Sequence, residues 1–140
     1  MIKVKNISKE FDKSPVLTGI STIFEKGKTN LIIGQSGSGK TVFLKCLLGL
    51  FETNSGQIFF ENSPINLMST KERTVLRQEI GMVFQGSALF DSMTVEENIM
   101  FPMQMFTKKD DDEVRERANQ VIKRVNLINA NEKYPDEISG

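Results

Sequence analysis

The octapeptide Gly34-Gln35-Ser36-Gly37-Ser38-Gly39-Lys40-Thr41 satisfies the spacing G-x-x-x-x-G-K-[ST] in full, and no other feature restricts the fold of this chain as strongly. A loop of this kind curls its backbone amides inward around a phosphate. It does so between a strand that delivers it and a helix whose free N-terminal amides and positive dipole end complete the cradle. The flanking residues predict both. Thr29-Asn30-Leu31-Ile32-Ile33 reads as a short buried strand. From Lys40 to Leu50, Val42, Phe43, Leu44, Leu47, Leu48 and Leu50 wrap most of a helix, which implies burial on several sides.

On this reading Gly34, Gln35, Ser36, Gly37, Ser38 and Gly39 hold phosphate through their backbone. Lys40 reaches the β- and γ-phosphates as a point charge, and the Thr41 hydroxyl completes the coordination of a Mg²⁺ ion that bridges them. The alternative is a glycine-serine connection with no ligand. A nucleoside triphosphate site is the reading that the full pattern and its flanks favour.

Composition narrows the chemistry further. Eighteen basic and 18 acidic side chains cancel, which removes the basic stripe that a nucleic-acid surface requires. The 140 residues contain no His, so neither a His-ligated zinc nor a Ser-His or Cys-His pair can form within them. The single Cys46 lies in the apolar run Phe43 to Leu50, where it reads as a buried structural thiol of a reducing compartment. Met1-Ile2-Lys3-Val4-Lys5 lacks the apolar core of a secretion signal, and no run reaches the length of a membrane span. A soluble, cytoplasmic chain of one domain length is expected.

Along the chain, strands and helices mix without repeats or linkers. Ile2, Val4 and Ile7 alternate as in a strand, and Val16-Leu17 to Phe24 follow as a second. Gln57 to Ile65 is a strand between Ser55-Gly56 and Asn62-Ser63-Pro64, and Ile80 to Phe84 is a short one. Ser69-Thr70-Lys71-Glu72 has capping-box spacing and opens a helix over 70–78. Thr94-Val95-Glu96-Glu97 repeats the device before a brief helix that Pro102 should end. A last helix spans about 110–126, with acidic Asp110 to Glu113 at its start and Lys123 and Arg124 at its finish, as the helix dipole favours.

A phosphate loop alone does not choose among nucleotide enzymes. The guanine-reading Asn-Lys-x-Asp is absent, and the nearest fragment, Asn131-Glu132-Lys133-Tyr134, fails at its last position. Ile58-Phe59-Phe60-Glu61 is too short an apolar run to be the acid-ending strand that holds Mg²⁺. A strand running into the turn Glu61-Asn62-Ser63-Pro64 explains it better.

Three further landmarks carry a resemblance: Ile80-Gly81-Met82-Val83-Phe84-Gln85, then Ala88-Leu89-Phe90 through Thr94-Val95-Glu96-Glu97-Asn98, and Tyr134-Pro135-Asp136-Glu137-Ile138-Ser139-Gly140. In order and spacing, over its whole length, the sequence resembles the nucleotide-binding ATPase subunit of ABC transporters. Residues Gln85 to Val95 look most like the lipid-trafficking, Mla-type and MCE-associated ATPases. The resemblance implies an α/β fold, a P-loop NTPase core with an antiparallel β-subdomain and part of a helical subdomain. Residues 1–33 and 55–66 would supply β-subdomain strands, 34–50 the phosphate loop and helix, 80–85 the Q-loop strand, and about 86–140 the helical part.

The same resemblance implies ATP and Mg²⁺ as cofactors, with Lys40 and Gln85 as the catalytic residues. Gln85 would contact Mg²⁺ and the attacking water and link nucleotide state to the permease; a turn-capping or buried amide is the alternative. Phe11 stands where an aromatic residue, more often Tyr, stacks on adenine, and Val16 would line the same pocket; a core residue of an edge strand is the alternative for Phe11. Residues 86–106, rich in Phe90, Met93, Met100, Phe101, Met103, Met105 and Phe106, would receive a membrane permease, and core packing accounts for them equally well. A second ATPase subunit would pack head to tail in a homodimer, with the signature residues Ser139 and Gly140 closing its ATP. No nucleic-acid partner and no direct membrane insertion are implied. The protein would sit at the inner face of the cell membrane through its permease.

In the family the signature reads Leu-Ser-Gly-Gly-Gln or a near variant, whereas here Ile138-Ser139-Gly140 closes the sequence. The expectation is therefore an N-terminal portion of one ATP-binding domain, without its acid-bearing strand and switch His. It would bind ATP but hydrolyse it negligibly, with an open sheet edge that favours oligomerisation or strand exchange. Lipid transport is the activity that the subfamily resemblance implies for the whole subunit. The rival readings are a soluble ATPase of the same superfamily without a permease, acting on nucleic acid or ribosomes, and a non-catalytic nucleotide-binding module.

Overall fold

A two-residue turn at Asp12 and Lys13, with φ of 49° and 66°, lets the first hairpin keep its strand twist right up to the turn. Strands β1 (Ile2–Phe11) and β2 (Ser14–Phe24) consequently run longer than their apolar alternation predicts. The computed structural model describes every residue except Gln85, Ser87, Ser139 and Gly140, and it divides into two units, Met1–Met82 and Val83–Gly140.

In the first unit, β3 (Ser55–Phe60) pairs with the other edge of β1, and the two-residue β4 (Ser63–Pro64) pairs with β3. The sheet order is β2-β1-β3-β4, antiparallel throughout. The register shifts three times between β1 and β2 and once between β1 and β3, and two of these irregularities bear on the site and the packing. Glu10 pairs with Pro15 but Lys9 with Leu17, which leaves Val16 as the extra residue of a bulge. On the other side of β1, Asn6 has φ of 48°, and Gly56 crosses it so closely that a Cβ there would stand 2.3 Å from the Asn6 carbonyl oxygen.

Helix α1 (Lys40–Leu47) lays Phe43, Cys46 and Leu47 on one face of this sheet. They join Val4, Ile7, Leu17 and Ile58, together with Ile65 and with Leu76 of α2 (Thr70–Glu79), in one core cluster. Cys46 is 1% exposed, and burial raises its thiol above the ordinary value against a smaller opposing pull from Lys9; it is the inert structural thiol expected. Leu44 is exposed within helix α1, which ends earlier than its apolar pattern predicts and leaves Leu50 exposed as well. The reason is a Schellman closure: Gly49, at φ 62°, donates its N–H to Cys46 and Leu50 donates to Lys45. Helix α2 opens on the predicted capping box, with Ser69 and Glu72 bonded reciprocally.

Two expected strands do not form. Residues 29–33 are extended but unpaired, with Leu31 and Ile33 86% and 82% exposed and only Ile32 packed on the core. Residues 80–84 are likewise outside any strand, and Val83 is 98% exposed. A strand exists only by its neighbours, and among the described residues no strand runs beside either segment.

In the second unit, α3 (Val95–Phe106) and α4 (Asp111–Arg124) pack through Met100, Val114 and Ala118, with Ile99 and Met103 against them. Thr94 and Glu97 form the second capping box, and the Asp110 carboxylate accepts from the Glu113 N–H. Pro102 does not end α3, contrary to expectation; it lies inside the helix, which continues to Phe106. One backbone bond is lost there, while the apolar stripe packed on α4 and the Thr107 N–H bond to Met103 hold the last turn. Of the Met and Phe residues, Met100 is core, whereas Phe90, Met105 and Phe106 are about half exposed. No helix among the described residues is long and apolar enough to cross a membrane.

Gly56→Ala should cost roughly 2–4 kcal/mol, because its Cβ meets backbone that cannot move aside and its φ is left-handed; urea unfolding of the two chains measures it. The Ser69 hydroxyl and N–H hold the Glu72 carboxyl below the usual carboxylate range. Its contribution is therefore present above the unfolded value and lost as pH falls through the folded one. Melting temperatures should drop more steeply from roughly pH 5 to pH 3 for the wild type than for Glu72→Gln.

Candidate functional site

The phosphate loop is built by left-handed glycines and one short turn. Gly37 and Gly39 have φ of 79° and 86°, a region that costs other residues roughly 1–2 kcal/mol. The Ser38 N–H donates to Gln35 across 3.2 Å, and at Gly34 a Cβ would lie 2.7 Å from the Ser38 hydroxyl. Gly39 is the N-cap of α1 with no side-chain cap, and the first helical bond is Phe43 N–H to Gly39 at 2.8 Å. The amides of Lys40, Thr41 and Val42 are thus left without intrahelical partners.

Lys40 closes the loop from within. Its ammonium donates to the carbonyl oxygens of Gly34 at 2.8 Å and Gln35 at 2.7 Å. Gln35, Ser36 and Thr41 are exposed around it. The arrangement gathers unpaired amides and one cation in one place, which is the chemistry that binds polyphosphate. Beside the loop an open groove of about 450 Å³ is lined by Leu17, Ile20, Phe24, Ile32 and Phe43 together with Lys40.

The bulge in β2 aims Val16 at the loop. A Cβ on Gly39 would stand 3.0 Å from both the Val16 side chain and its carbonyl oxygen, and 3.1 Å from Leu17. Val16 therefore lies against the loop at Gly39, and Leu17, which the sequence reading passed over, shares the contact. Phe11 ends β1, opposite Ser14 and so two residues along β2 from Val16, a spacing of about 7 Å along a strand. It is 39% exposed, with the Lys9 ammonium 4.8 Å from its ring centroid.

Gln85, Ser139 and Gly140 lie outside the described residues. Glu61, set aside above as a metal ligand, is exposed at φ 53° and accepts from the N-terminal ammonium at 2.8 Å. That bond holds its carboxyl below the usual range. Among the described residues no group of three or more His, Cys, Asp or Glu is placed to hold a metal. The Thr41 hydroxyl is a hard oxygen donor on an exposed helix start, which fits Mg²⁺, an ion that takes most of its ligands from phosphate and water.

Two alanine substitutions separate crowding from backbone strain. Gly37→Ala meets nothing within 4 Å, so it should weaken triphosphate binding by about thirtyfold at most through its φ alone. Gly39→Ala meets Val16 and Leu17 as well and should lose clearly more; titration calorimetry with inorganic tripolyphosphate reads both.

Comparison with known proteins agrees with this geometry. The family model described as ABC transporter matches residues 17–140. The chain is 40% identical over 140 residues to the arginine transport ATP-binding protein ArtM of Bacillus subtilis (strain 168), covering 100% of this chain and 58% of that one. It is 36% identical over 139 residues to the probable ribonucleotide transport ATP-binding protein mkl of Mycobacterium leprae (strain TN), covering 99% and 40%. A solved dimeric structure of the ATP-binding cassette MJ0796 in a post-hydrolysis state, bound to ADP and Pi, superposes with a TM-score of 0.85 at 27% identity, covering 99% of this chain and 63% of that one. The chain thus spans about half the length of the curated relatives named here. With a phosphate loop of this geometry, an antiparallel sheet seated on its helix and a family match over most of its length, the chain belongs to the ABC transporter family and has its ATPase fold.

Proposed function

We propose that this chain is the ATP-binding part of an ABC transporter's ATPase subunit, in which ATP binding and hydrolysis drive a membrane permease. The observation that carries the reading is the uncapped start of α1 behind the Lys40 ammonium. On ATP binding, the free amides at Lys40 to Val42 and those of the loop donate to the phosphate oxygens. Lys40 exchanges the Gly34 and Gln35 carbonyls for the β- and γ-phosphates. Thr41 would hold the Mg²⁺, and Gln85 would be its second protein contact and the group that orients the attacking water. When bound, the ion supplies charge neutralisation between the phosphates. Phe11 stacks on the base and Val16 bounds its pocket.

The remaining parts of the reading concern partners. Residues 86–106, with the exposed Phe90, Met105 and Phe106, face the permease. Ser139 and Gly140 close the ATP of a second subunit in a head-to-tail homodimer, an arrangement in keeping with the dimeric cassette. Residues 85–95 favour a lipid cargo by resemblance, whereas the two relatives carry arginine and ribonucleotide in their names. No apolar strand ending Asp-Glu occurs in the 140 residues, so the chain by itself binds ATP with negligible turnover.

Calorimetry with MgATP tests the core of this reading. The wild-type chain should bind, and Lys40→Ala should lose roughly 10–100-fold in affinity, the worth of charge-assisted bonds. Undiminished binding by Lys40→Ala, or steady turnover by the chain that this substitution abolishes, overturns it. Purification from native membranes without any integral membrane partner overturns the permease assignment.

A further inference from the structure

Phe11 is held by a second aromatic ring that the nucleotide reading does not use. Phe51 meets it edge to face, with centroids 5.4 Å apart and planes at 73°. Two ammoniums bracket the pair, Lys9 over Phe11 at 4.8 Å and Lys45 over Phe51 at 5.2 Å. Phe51 itself is fastened. Its N–H and that of Leu50 both donate to the Lys45 carbonyl at the end of α1. Three residues on, the Asn54 N–H donates to Ser8 and the Asn54 side chain accepts from the Glu10 N–H, both on β1. The segment 50–54 is therefore tied at one end to the phosphate-loop helix and at the other to the strand that carries Phe11.

An exposed aromatic ring at the end of a hairpin strand has free rotation about χ1 and χ2 and offers a base no fixed plane. Edge-to-face contact with a second ring removes that freedom, and such a pair contributes beyond its buried area. We propose that Phe51 is a positioning residue for nucleobase recognition: it fixes the plane of Phe11 so that the ring face away from Lys9 is presented to the base. Because Phe51 is anchored on α1, the base platform and the phosphate cradle are set at one spacing by a single rigid element. The inference rests on the reading of Phe11 as the base-stacking residue, and it adds a residue with no contact to the nucleotide.

The test compares MgATP with inorganic tripolyphosphate, which has no base, on the full chain by calorimetry. Phe51→Leu keeps apolar bulk but removes the ring edge; it should weaken ATP roughly 2–10-fold, the range of an aromatic pair, and leave tripolyphosphate unchanged. Phe51→Tyr, which keeps the ring, should retain wild-type affinity for both. Equal losses for the two ligands, an unaltered ATP affinity in Phe51→Leu, or failure of Phe51→Tyr to retain it would overturn the inference. Phe11→Ala separates this from the underlying reading. If it lowers ATP affinity relative to tripolyphosphate while Phe51→Leu does not, only the role of Phe51 fails. If Phe11→Ala leaves that ratio unchanged, base stacking by Phe11 fails and Phe51 falls with it.

Discussion

Everything at the candidate site depends on how closely β2 approaches the start of α1. A Cβ on Gly39 would crowd Val16 and Leu17 at 3.0–3.1 Å, and the core cluster around Ile7, Phe43 and Cys46 holds helix and sheet in that relation. The approach is close because a bulge turns Val16 out of the regular pleat. It is tolerable because Gly39 combines the absence of a side chain with a left-handed φ. The glycine thereby serves the sheet packing as well as the loop, two demands that a sequence pattern records as one residue.

What could be read in advance was what residues decide locally. The capping boxes at Ser69 and Thr94 involve partners three residues apart, and the phosphate loop carries its own conformational requirements in its glycines. Features that depend on distant partners were illegible or misread. The apolar run 29–33 has the composition of a buried strand, yet a strand's hydrogen bonds belong to its neighbours, and none is present among the described residues. Pro102 looks like a helix end in isolation, but the cost of one missing backbone bond is outweighed by packing on α4, which lies further along the chain. The aromatic partner of Phe11 is 40 positions away at Phe51, beyond the reach of any periodicity.

The family assignment and the local geometry answer different questions. Similarity over residues 17–140 establishes the fold and its lineage. The geometry says which atoms are available: three amides at the start of a helix, one ammonium, one hydroxyl and a half-exposed ring. Nothing in that set distinguishes a cargo. This is why proteins named for arginine and for ribonucleotides both resemble the same 140 residues.

The Lys40 ammonium is already satisfied before any ligand arrives, by the two carbonyls of its own loop. On the proposed function, nucleotide entry would be an exchange of acceptors at Lys40 rather than capture by a bare charge. The ammonium keeps its charge, but two of its three donors are turned inward on the carbonyls of its own loop. Replacing Lys40 alters both sides of the binding equilibrium, since it also removes the clasp that keeps Gly34 and Gln35 in place when the loop is empty.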